Sequence, residues 1–455
     1  MKCADEKKAL AVFEKALAKI KPSPKETERN FEAANHLIKK LEAVVPENVE
    51  VALAGSLAKG TDLRGKNEFD IFLLFPRHYP HHEMTMLGLY YARKAFHGMK
   101  IESRYAEHPY LQVFHGDYHA DIVPAYKIGN IGEKGSSVDR SQLHTAFVNA
   151  KLDSEGKSDV RLLKQFMKNF GIYGAETRVE GFSGYLCEIL IAHYGSLLGL
   201  MEAASSWHEP ALDAEGKQDV KLKAKFSSPL IAIDPVDPGR NVAAVVANTS
   251  LSRFIFECRR FLANPSEKFF FSEKRKRSLA EIRKAMRGRG TACFAVRFAA
   301  PEVVQDVLWP QLKKAAQALK RKLQELDFSV FGLYHWSDGK ECVILFEFDR
   351  WELPAVRKAV GPSIRFAKDV DAFVKRHSDA LNLHIEHDRI VAVEKREETM
   401  VRENTFVALC RSPKGLGIPK NMEIVMKDLE AMAAEKLLSE KYREMLSDYF
   451  FAKIA

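Results

Sequence analysis

The sequence has few cysteines, and none of them is paired with another by its spacing. Six cysteines are scattered over 455 residues, and no CxxC or comparable motif joins any two of them. This scarcity argues against a structural zinc site and, more strongly, against a disulfide framework. Reduced thiols are typical of cytosolic proteins, so we expect a cytoplasmic location.

Targeting and membrane signals are also lacking. The N-terminal residues carry charges of both signs, which does not resemble a signal peptide. The longest apolar run, 181–200, is interrupted by Glu188 and His193, which favours a buried core helix over a membrane span. We therefore expect no membrane partner. We also find no internal repeat and no low-complexity tract.

Basic residues modestly outnumber acidic ones in the sequence. The chain has 70 Lys plus Arg against 61 Asp plus Glu, a net charge of +9 at pH 7. This excess suits an anionic partner such as nucleic acid, but it is also what keeps an ordinary protein soluble. A hydrophobic fraction of 46% with 29% charged residues indicates a globular chain, and its length predicts more than one domain.

Apolar spacing in the first part of the chain predicts a mixed sheet flanked by helices. Helical spacing over 5–20 and 25–44 gives way to the alternation of a strand at 49–53. Further strands are predicted at 69–75, 100–105, 109–114 and 118–124, with a helix at 83–97. From Ser158, which can cap a helix, the pattern becomes helical and includes one helix over 183–206.

The C-terminal part again mixes strands and helices. A strand, a long helix and two strands over 291–348 give a β-α-β-β order, which occurs in small RNA-binding sheets and in proteins of every other function. A strand at 404–411 and a terminal helix at 424–450 complete the prediction. The basic run 274–289 is either a solvated surface or a contact for an RNA backbone.

The most informative segment joins a Gly-Ser turn to a strand that begins with two carboxylates. Glu68 and Asp70 are two residues apart, so their side chains leave the same face of the strand and repel each other. A divalent cation relieves this repulsion, and Mg²⁺ suits oxygen ligands while keeping sites open for water and triphosphate. Before the pair, Gly55 lets the backbone approach a phosphate, and Ser56 can donate its hydroxyl.

A third carboxylate, Asp121, begins a later apolar strand. If that strand neighbours the strand of Glu68 and Asp70, three carboxylates can hold two metal ions. One ion would activate a primer 3′-hydroxyl, and the other would steady a triphosphate and the leaving pyrophosphate. An acidic pair on a strand also arises by chance, so the pair alone does not identify a metal site.

Together these residues resemble the signature of the DNA polymerase β superfamily of nucleotidyltransferases. Further motifs narrow the resemblance to the archaeal, class I CCA-adding enzymes, and these are SQLHT at 141–145, DVRLLKQF at 159–166, GIYGAE at 171–176, GFSGYLCE at 181–188 and DPVDPGRNVA at 234–243. The resemblance covers nearly the whole chain. It implies an α+β multidomain fold with a polymerase-β-like catalytic head, a mainly helical central domain and an α+β C-terminal RNA-binding region, at 1–153, 154–270 and 271–455.

The resemblance also implies roles for individual residues. Glu68, Asp70 and Asp121 match the catalytic, metal-binding carboxylates. The positions that match contacts to ATP or CTP are Gly55, Ser56, Lys59, His144, Lys164, Tyr173 and Arg240. Lys59 replaces an arginine that is common in the family, which keeps the charge but loses the bidentate fork. Arg240 resembles the arginine that reads the incoming base against the RNA backbone.

Several of these residues also have ordinary structural interpretations. Arg161, Lys164 and Lys168 form a cationic stripe at helical spacing, which is equally typical of a solvated helix face. Tyr173 could present its ring to a ribose or base, or it could be a core aromatic that closes a helix end. His144 could be a partly buried histidine without contact to a ligand.

The implied function is addition of C, C and A in turn to a tRNA that lacks part or all of its 3′ CCA. The substrates would be CTP and ATP, with two Mg²⁺ ions and no nucleic-acid template, and the resemblance also suggests a homodimer. Two alternatives stay open at this stage. One is another RNA-tailing enzyme on the same core, such as a poly(A) polymerase or an oligoadenylate synthetase, and the other is a non-catalytic RNA-binding protein.

Overall fold

A computed structural model describes the chain except for residues 106–108, 214, 216, 218, 273–274, 351, 397–398, 401–402, 412–414 and 452–455. The chain divides into two compact units, Met1–Glu273 and Lys274–Ala455. The division of the first unit into a head and a central domain stays a prediction.

The first unit combines helices with a five-stranded and a three-stranded sheet. Its α-helices are α1 (Glu6–Ile20), α2 (Pro24–Glu42), α3 (Gly55–Lys59), α4 (His81–Ala95), α5 (Arg140–Lys151), α6 (Ser154–Asn169), α7 (Gly184–Tyr194), α8 (Leu197–Ala204) and α9 (Asn248–Ala263). Its strands are β1 (Glu50–Ala54), β2 (Glu68–Phe75), β3 (Lys100–Tyr105), β4 (Pro109–His115), β5 (Tyr118–Tyr126), β6 (Ala211–Leu212), β7 (Ile231–Asp234) and β8 (Asp237–Asn241).

The larger sheet has the order β1-β2-β5-β4-β3, and β2 pairs with β5 in parallel. Alternate residues of β2, Phe69, Ile71 and Leu73, are buried in one core with side chains of α2 and α4. Because side chains alternate along a strand, Asp70 leaves the opposite face of the sheet. On that face Phe72 and Leu74 are also buried, in a smaller core with Ala54 and Ala125, so only the start of β2 is available for polar chemistry.

Two expectations for the helical part of this unit are wrong. Ser158 does not cap a helix, because α6 begins earlier with Asp153 as its N-cap, whose carboxylate accepts hydrogen bonds from the first-turn backbone. The single helix over 183–206 is two helices, α7 and α8. Gly195 ends α7 in a left-handed conformation (φ 74°), and Ser196 caps α8.

The helices α1 and α6 to α9 share a large apolar core, to which Phe166, Leu190 and Phe254 contribute fully buried side chains. In the described part of the chain, no single helix is long and apolar enough to cross a membrane. Only the pair α7 and α8 meets that criterion jointly, and the two are bent by 92°.

The second unit has a four-stranded and a three-stranded sheet. Its helices are α10 (Leu279–Gly288), α11 (Gln305–Glu325), α12 (Ala367–Arg376), α13 (Glu403–Arg411), α14 (Lys420–Val425) and α15 (Arg443–Phe451). Its strands are β9 (Ala292–Ala299), β10 (Val330–Ser337), β11 (Glu341–Phe348), β12 (Val356–Ser363), β13 (Asn382–Glu386), β14 (Arg389–Lys395) and β15 (Glu430–Ala433).

The β-α-β-β order of β9, α11, β10 and β11 is confirmed, and α11 buries Leu312, Ala316 and Leu319 in the core of this unit. The predicted strand at 404–411 is instead the helix α13, and short apolar runs of this kind suit either element. The predicted helix at 424–450 is interrupted by β15, which pairs with β9 and extends the sheet. Backbone pairing here outweighs local helical spacing.

Candidate active site

The strand pairing that the metal hypothesis requires is present. Asp70 of β2 lies directly opposite Asp121 of β5 in parallel register, so the two side chains share a face of the sheet. Glu68 lies two residues before Asp70 on the same strand and therefore on the same face. The three predicted carboxylates therefore lie on neighbouring strands and on one face of the sheet, near the start of β2.

The electrostatics of Asp70 and Asp121 are those of crowded carboxylates. Burial raises the pKa of Asp70 to about 6, and the neighbouring charges of Asp121 and Glu68 contribute in the same direction. Burial also raises the pKa of Asp121, although Gln112 donates a hydrogen bond of 2.8 Å to its carboxylate. A bound cation would offset the repulsion between these carboxylates and the cost of burying their charges. Their oxygen atoms are therefore suitable ligands for a hard divalent metal.

Glu68 is oriented differently from the other two carboxylates. Its side chain is exposed and forms an ion pair with Lys66 at 3.0 Å. Among the described residues, no group of three or more His, Cys, Asp or Glu side chains is arranged to hold a metal ion. The structure therefore places Asp70 and Asp121 together, and Glu68 would have to leave Lys66 to join them.

The backbone of Gly55 packs closely against the carboxylate of Asp70. It has a positive φ of 70°, and a Cβ at this position would lie 1.8 Å from Oδ2 of Asp70. The backbone of β1 and the first turn of α3, which contains Ser56, can approach the carboxylate only because residue 55 has no side chain. This close approach explains why the Gly-Ser turn has glycine at position 55.

Replacing Gly55 by alanine should therefore disrupt the site itself. We expect nucleotide incorporation to fall at least about tenfold, since the new Cβ would lie 1.8 Å from Oδ2 and 2.8 Å from Cγ of Asp70 and would displace the carboxylate. Gly65→Ala is the matched control, because Gly65 has nearly the same φ (73°) but nothing within 4 Å of its Cβ position. It should lower Tm without this loss of activity, and equal losses for both variants would contradict the prediction.

Lys59 and Lys164, the two lysines matched to nucleotide contacts, meet at one buried carboxylate. Lys59 binds Glu188 at 2.8 Å, and Lys164 binds the other oxygen of Glu188 at 3.3 Å. Thr61 donates its hydroxyl to the same carboxylate at 2.7 Å. Burial alone would raise the pKa of Glu188, but the two ammonium groups and the hydroxyl outweigh it and hold that pKa below its usual value.

The other members of the cationic stripe on α6 also have partners within the protein. Arg161 is buried and donates to the backbone carbonyl of Asp62 at 2.7 Å and to its carboxylate at 3.3 Å. Lys168 lies over the ring of Tyr173, 5.4 Å from its centroid. The stripe is therefore not a solvated helix face, because α6 uses it to hold the segment that follows α3.

A second buried carboxylate, Asp234, binds two of the residues matched to nucleotide contacts, His144 and Arg240. It accepts hydrogen bonds from His144 (3.0 Å), Arg240 (2.9 Å) and the hydroxyl of Tyr185 (3.0 Å). Burial opposes ionisation, but these donors and the backbone N–H of Val236 lower the pKa of Asp234 to about 2. Burial lowers the pKa of His144.

Tyr185 connects the two clusters. Its ring stacks on His144 with 3.7 Å between centroids, and the ammonium of Lys59 lies 5.1 Å from the centre of the same ring. Tyr185, Glu188 and Asp234 lie in the motifs at 181–188 and 234–243, but the sequence predicted no role for any of them. The available signal was two acidic residues inside apolar segments, since buried carboxylates require partners.

Three family models match the chain in succession. A "Nucleotidyltransferase domain" matches residues 35–144, and a "tRNA nucleotidyltransferase, second domain" matches 158–271. A "CCA-adding enzyme, C-terminal domain" matches 289–427. These matches cover both compact units and agree with the polymerase-β-like head and the α+β fold.

Full-length relatives are similar over most of this chain. The CCA-adding enzyme of Methanothermobacter thermautotrophicus is 37% identical over 80% of this chain and 81% of its own length. That of Archaeoglobus fulgidus is 35% identical over 94% of this chain and 96% of its own. That of Methanosarcina mazei is 35% identical over 85% and 86%. The chain therefore belongs to the CCA-adding enzymes, a family of nucleotidyltransferases.

Proposed function

We propose that this protein adds C, C and A in turn to the 3′ end of a tRNA that lacks part or all of this sequence, using CTP and ATP and releasing pyrophosphate. The observation that carries the proposal is the parallel register of Asp70 and Asp121 beneath the Gly55 turn. In this proposal the reaction uses no nucleic-acid template.

In this proposal Asp70, Asp121 and Glu68 hold two Mg²⁺ ions. When bound, the ions would supply Lewis acidity toward the primer 3′-hydroxyl and charge neutralisation on the triphosphate. Nucleotidyltransferases of this family generally use divalent metal ions. The raised pKa values of Asp70 and Asp121 support the assignment, since both carboxylates are costly to keep ionised without a cation.

The protein's own groups orient the nucleotide. Gly55 and Ser56 would face the phosphate chain, and Lys59 would add a positive charge beside it. Tyr173 lies near Lys164, with its hydroxyl 3.1 Å from the Cβ position of Gly184, and would border the ribose. Arg240 and His144, both fixed to Asp234, would form the edge that reads the base.

The tRNA would also contact the second unit. In the basic run 274–289, Arg275 and Arg277 pair with Glu281, and Arg289 is fixed to the buried carboxylate of Glu347 at 2.8 Å. Arg287 pairs with Glu435 at 2.9 Å. Contacts to the RNA backbone would therefore come from the exposed side chains of Lys276, Arg283 and Lys284. Scattered cysteines and a tRNA substrate support a cytoplasmic location, and we also propose a homodimer.

The two alternative functions are less well supported. Similarity to CCA-adding enzymes along both units favours CCA addition over a poly(A) polymerase or an oligoadenylate synthetase. A non-catalytic RNA-binding protein would have no need for Asp70 and Asp121 in register, because neighbouring, partly buried carboxylates cost stability and their negative charges do not attract RNA.

Incubation with tRNA lacking CCA and with labelled CTP or ATP tests the proposal. We expect two cytidines and then one adenosine to be added, and ATP alone to add nothing to a tRNA that lacks both cytidines. The control is the same tRNA already ending in CCA, which should gain no label. Long adenosine tails, or no incorporation with Mg²⁺ present, would reject CCA addition.

A further inference from the structure

Glu188 lies on α7 with 1% of its surface exposed, at the junction of Lys59, Thr61 and Lys164. One oxygen accepts from Lys59, and the other accepts from Thr61 and Lys164. Two lysines and one carboxylate give this cluster a net charge of +1. A buried cluster with surplus positive charge is suited to an additional anion, and burial strengthens that preference.

The two lysines are not equivalent. Lys164 donates to the backbone carbonyl of Thr61 at 3.1 Å and to its hydroxyl oxygen at 3.0 Å, in addition to Glu188. An ammonium has three N–H groups, so these bonds use the full capacity of Lys164. Among the described residues, Lys59 has one hydrogen bond, to Glu188. Lys59 can therefore turn to a new acceptor, whereas Lys164 holds Thr61.

We propose that Glu188 is a positioning residue that competes with the phosphate chain of the incoming nucleotide for Lys59. This inference rests on the proposed nucleotide-binding site and names how its affinity is set. When a triphosphate binds, Lys59 exchanges its bond with Glu188 for a bond with a phosphate oxygen. Lys164 stays bound to Thr61 and keeps Glu188 in place. Because the exchange is reversible, Glu188 also helps pyrophosphate to leave by taking Lys59 back.

The variant Glu188→Gln tests the competition, because it keeps the shape and removes the charge. The dissociation constants of Mg²⁺–pyrophosphate and Mg²⁺–CTP, measured by titration calorimetry, should fall about tenfold, since a charge-assisted bond no longer competes. The affinity for cytidine, which has no phosphate, should stay within about twofold of the parent. Pyrophosphate should correspondingly become a stronger inhibitor of CTP incorporation.

Glu257→Gln is the matched control. Glu257 is a carboxylate of the same unit with 0% exposure, and it is paired with two cations, Arg253 and Arg260, each at 2.8 Å. Both variants should have a lower Tm than the parent, because each removes the charge of a buried carboxylate that pairs with two cations. When Mg²⁺–pyrophosphate is added, the Tm of Glu188→Gln should rise by more than the Tm of Glu257→Gln.

A folded Glu188→Gln protein that binds pyrophosphate no more tightly than the parent would overturn the role of Glu188. If Glu188→Gln does not fold, Glu188→Asp replaces it. Its shorter side chain withdraws from Lys59, so pyrophosphate should bind roughly twofold more tightly, and unchanged binding would overturn the inference. A parent protein that incorporates no CTP would reject the proposed function itself, which is a separate result.

Discussion

Replacing Asp70 by asparagine should reduce nucleotide incorporation by at least about 10³-fold, which corresponds to about 4 kcal/mol of transition-state stabilisation. Asp70 is the carboxylate that lies opposite Asp121 and beneath Gly55, so its charge is central to the proposed metal site. Asparagine has nearly the same shape and should leave the sheet intact. The measurement is single-turnover addition of labelled CTP to tRNA lacking CCA.

The same substitution should stabilise the fold when metal is removed by EDTA. Burial and repulsion raise the pKa of Asp70 from 3.8 to about 6. Between these values the native state binds a proton that the unfolded chain releases, so the stability of the parent falls as pH rises through this window. Above about pH 6 the parent keeps the full penalty. The Tm advantage of the variant should therefore grow from pH 4 to 6 and then stay constant.

Asp117→Asn is the control for both measurements. Asp117 is an exposed carboxylate in the turn before β5 and makes no part of the proposed site. It should change neither incorporation nor Tm beyond the scatter of the assay. The affinity for tRNA should also be unchanged in both variants. If Asp70→Asn keeps more than about a tenth of parental activity, Asp70 does not bind an essential metal.

The sequence predicted the sheet of the first unit well, because its elements are regular and clearly separated. Pro22 and Pro46 mark the ends of the two N-terminal helical patterns, the strand at 49–53 alternates, and the strand after Asp70 is a short apolar run. The observed helices α1 and α2 end at Ile20 and Glu42, within two residues of the prediction. Local pattern was sufficient wherever each element buried one face against a single core.

Prediction failed where distant parts of the chain decide the local structure. The segment that forms β15 has helical spacing, but it lies along the free edge of β9 and gains backbone hydrogen bonds there. The segment of α13 has a short apolar run that suits a strand, but its Phe406 packs against Phe346 in the second unit. The strands β12 and β13 were missed because their sheet is partly exposed and weakly patterned.

The sequence was sufficient to predict which residues form the site, but it did not predict the contacts between them. The acidic pair and the Gly-Ser turn are local, so their chemistry could be read from the sequence. The partner of Lys59 is 129 positions away, at Glu188, and spacing gives no information about such a pair. Both lysines were matched to nucleotide contacts from the sequence, and only the structure shows that Lys164 has three hydrogen bonds and Lys59 one.

Replacing Asp234 by asparagine should impair base selection more than any other change outside the metal site. Asp234 is fully buried and holds both Arg240 and His144, the two side chains proposed to read the base. Removing its charge leaves Arg240 without its countercharge and frees both side chains to adopt other rotamers. We expect kcat/KM for CTP and ATP to fall about 10²-fold, because misplacing a positioning group by about 1 Å costs a rate factor of this order.

Asp237→Asn is the matched control for this prediction. Asp237 lies in the same hairpin, is mostly buried, and pairs with Lys134 at 2.7 Å and Arg140 at 3.3 Å, but it does not contact Arg240 or His144. Both variants should lose stability, since each breaks buried ion pairs. Only Asp234→Asn should raise the fraction of UTP and GTP incorporated in competition with CTP, measured by sequencing the 3′ ends. Equal selectivity in the two variants would mean that Asp234 stabilises the fold and does not position the base-reading edge.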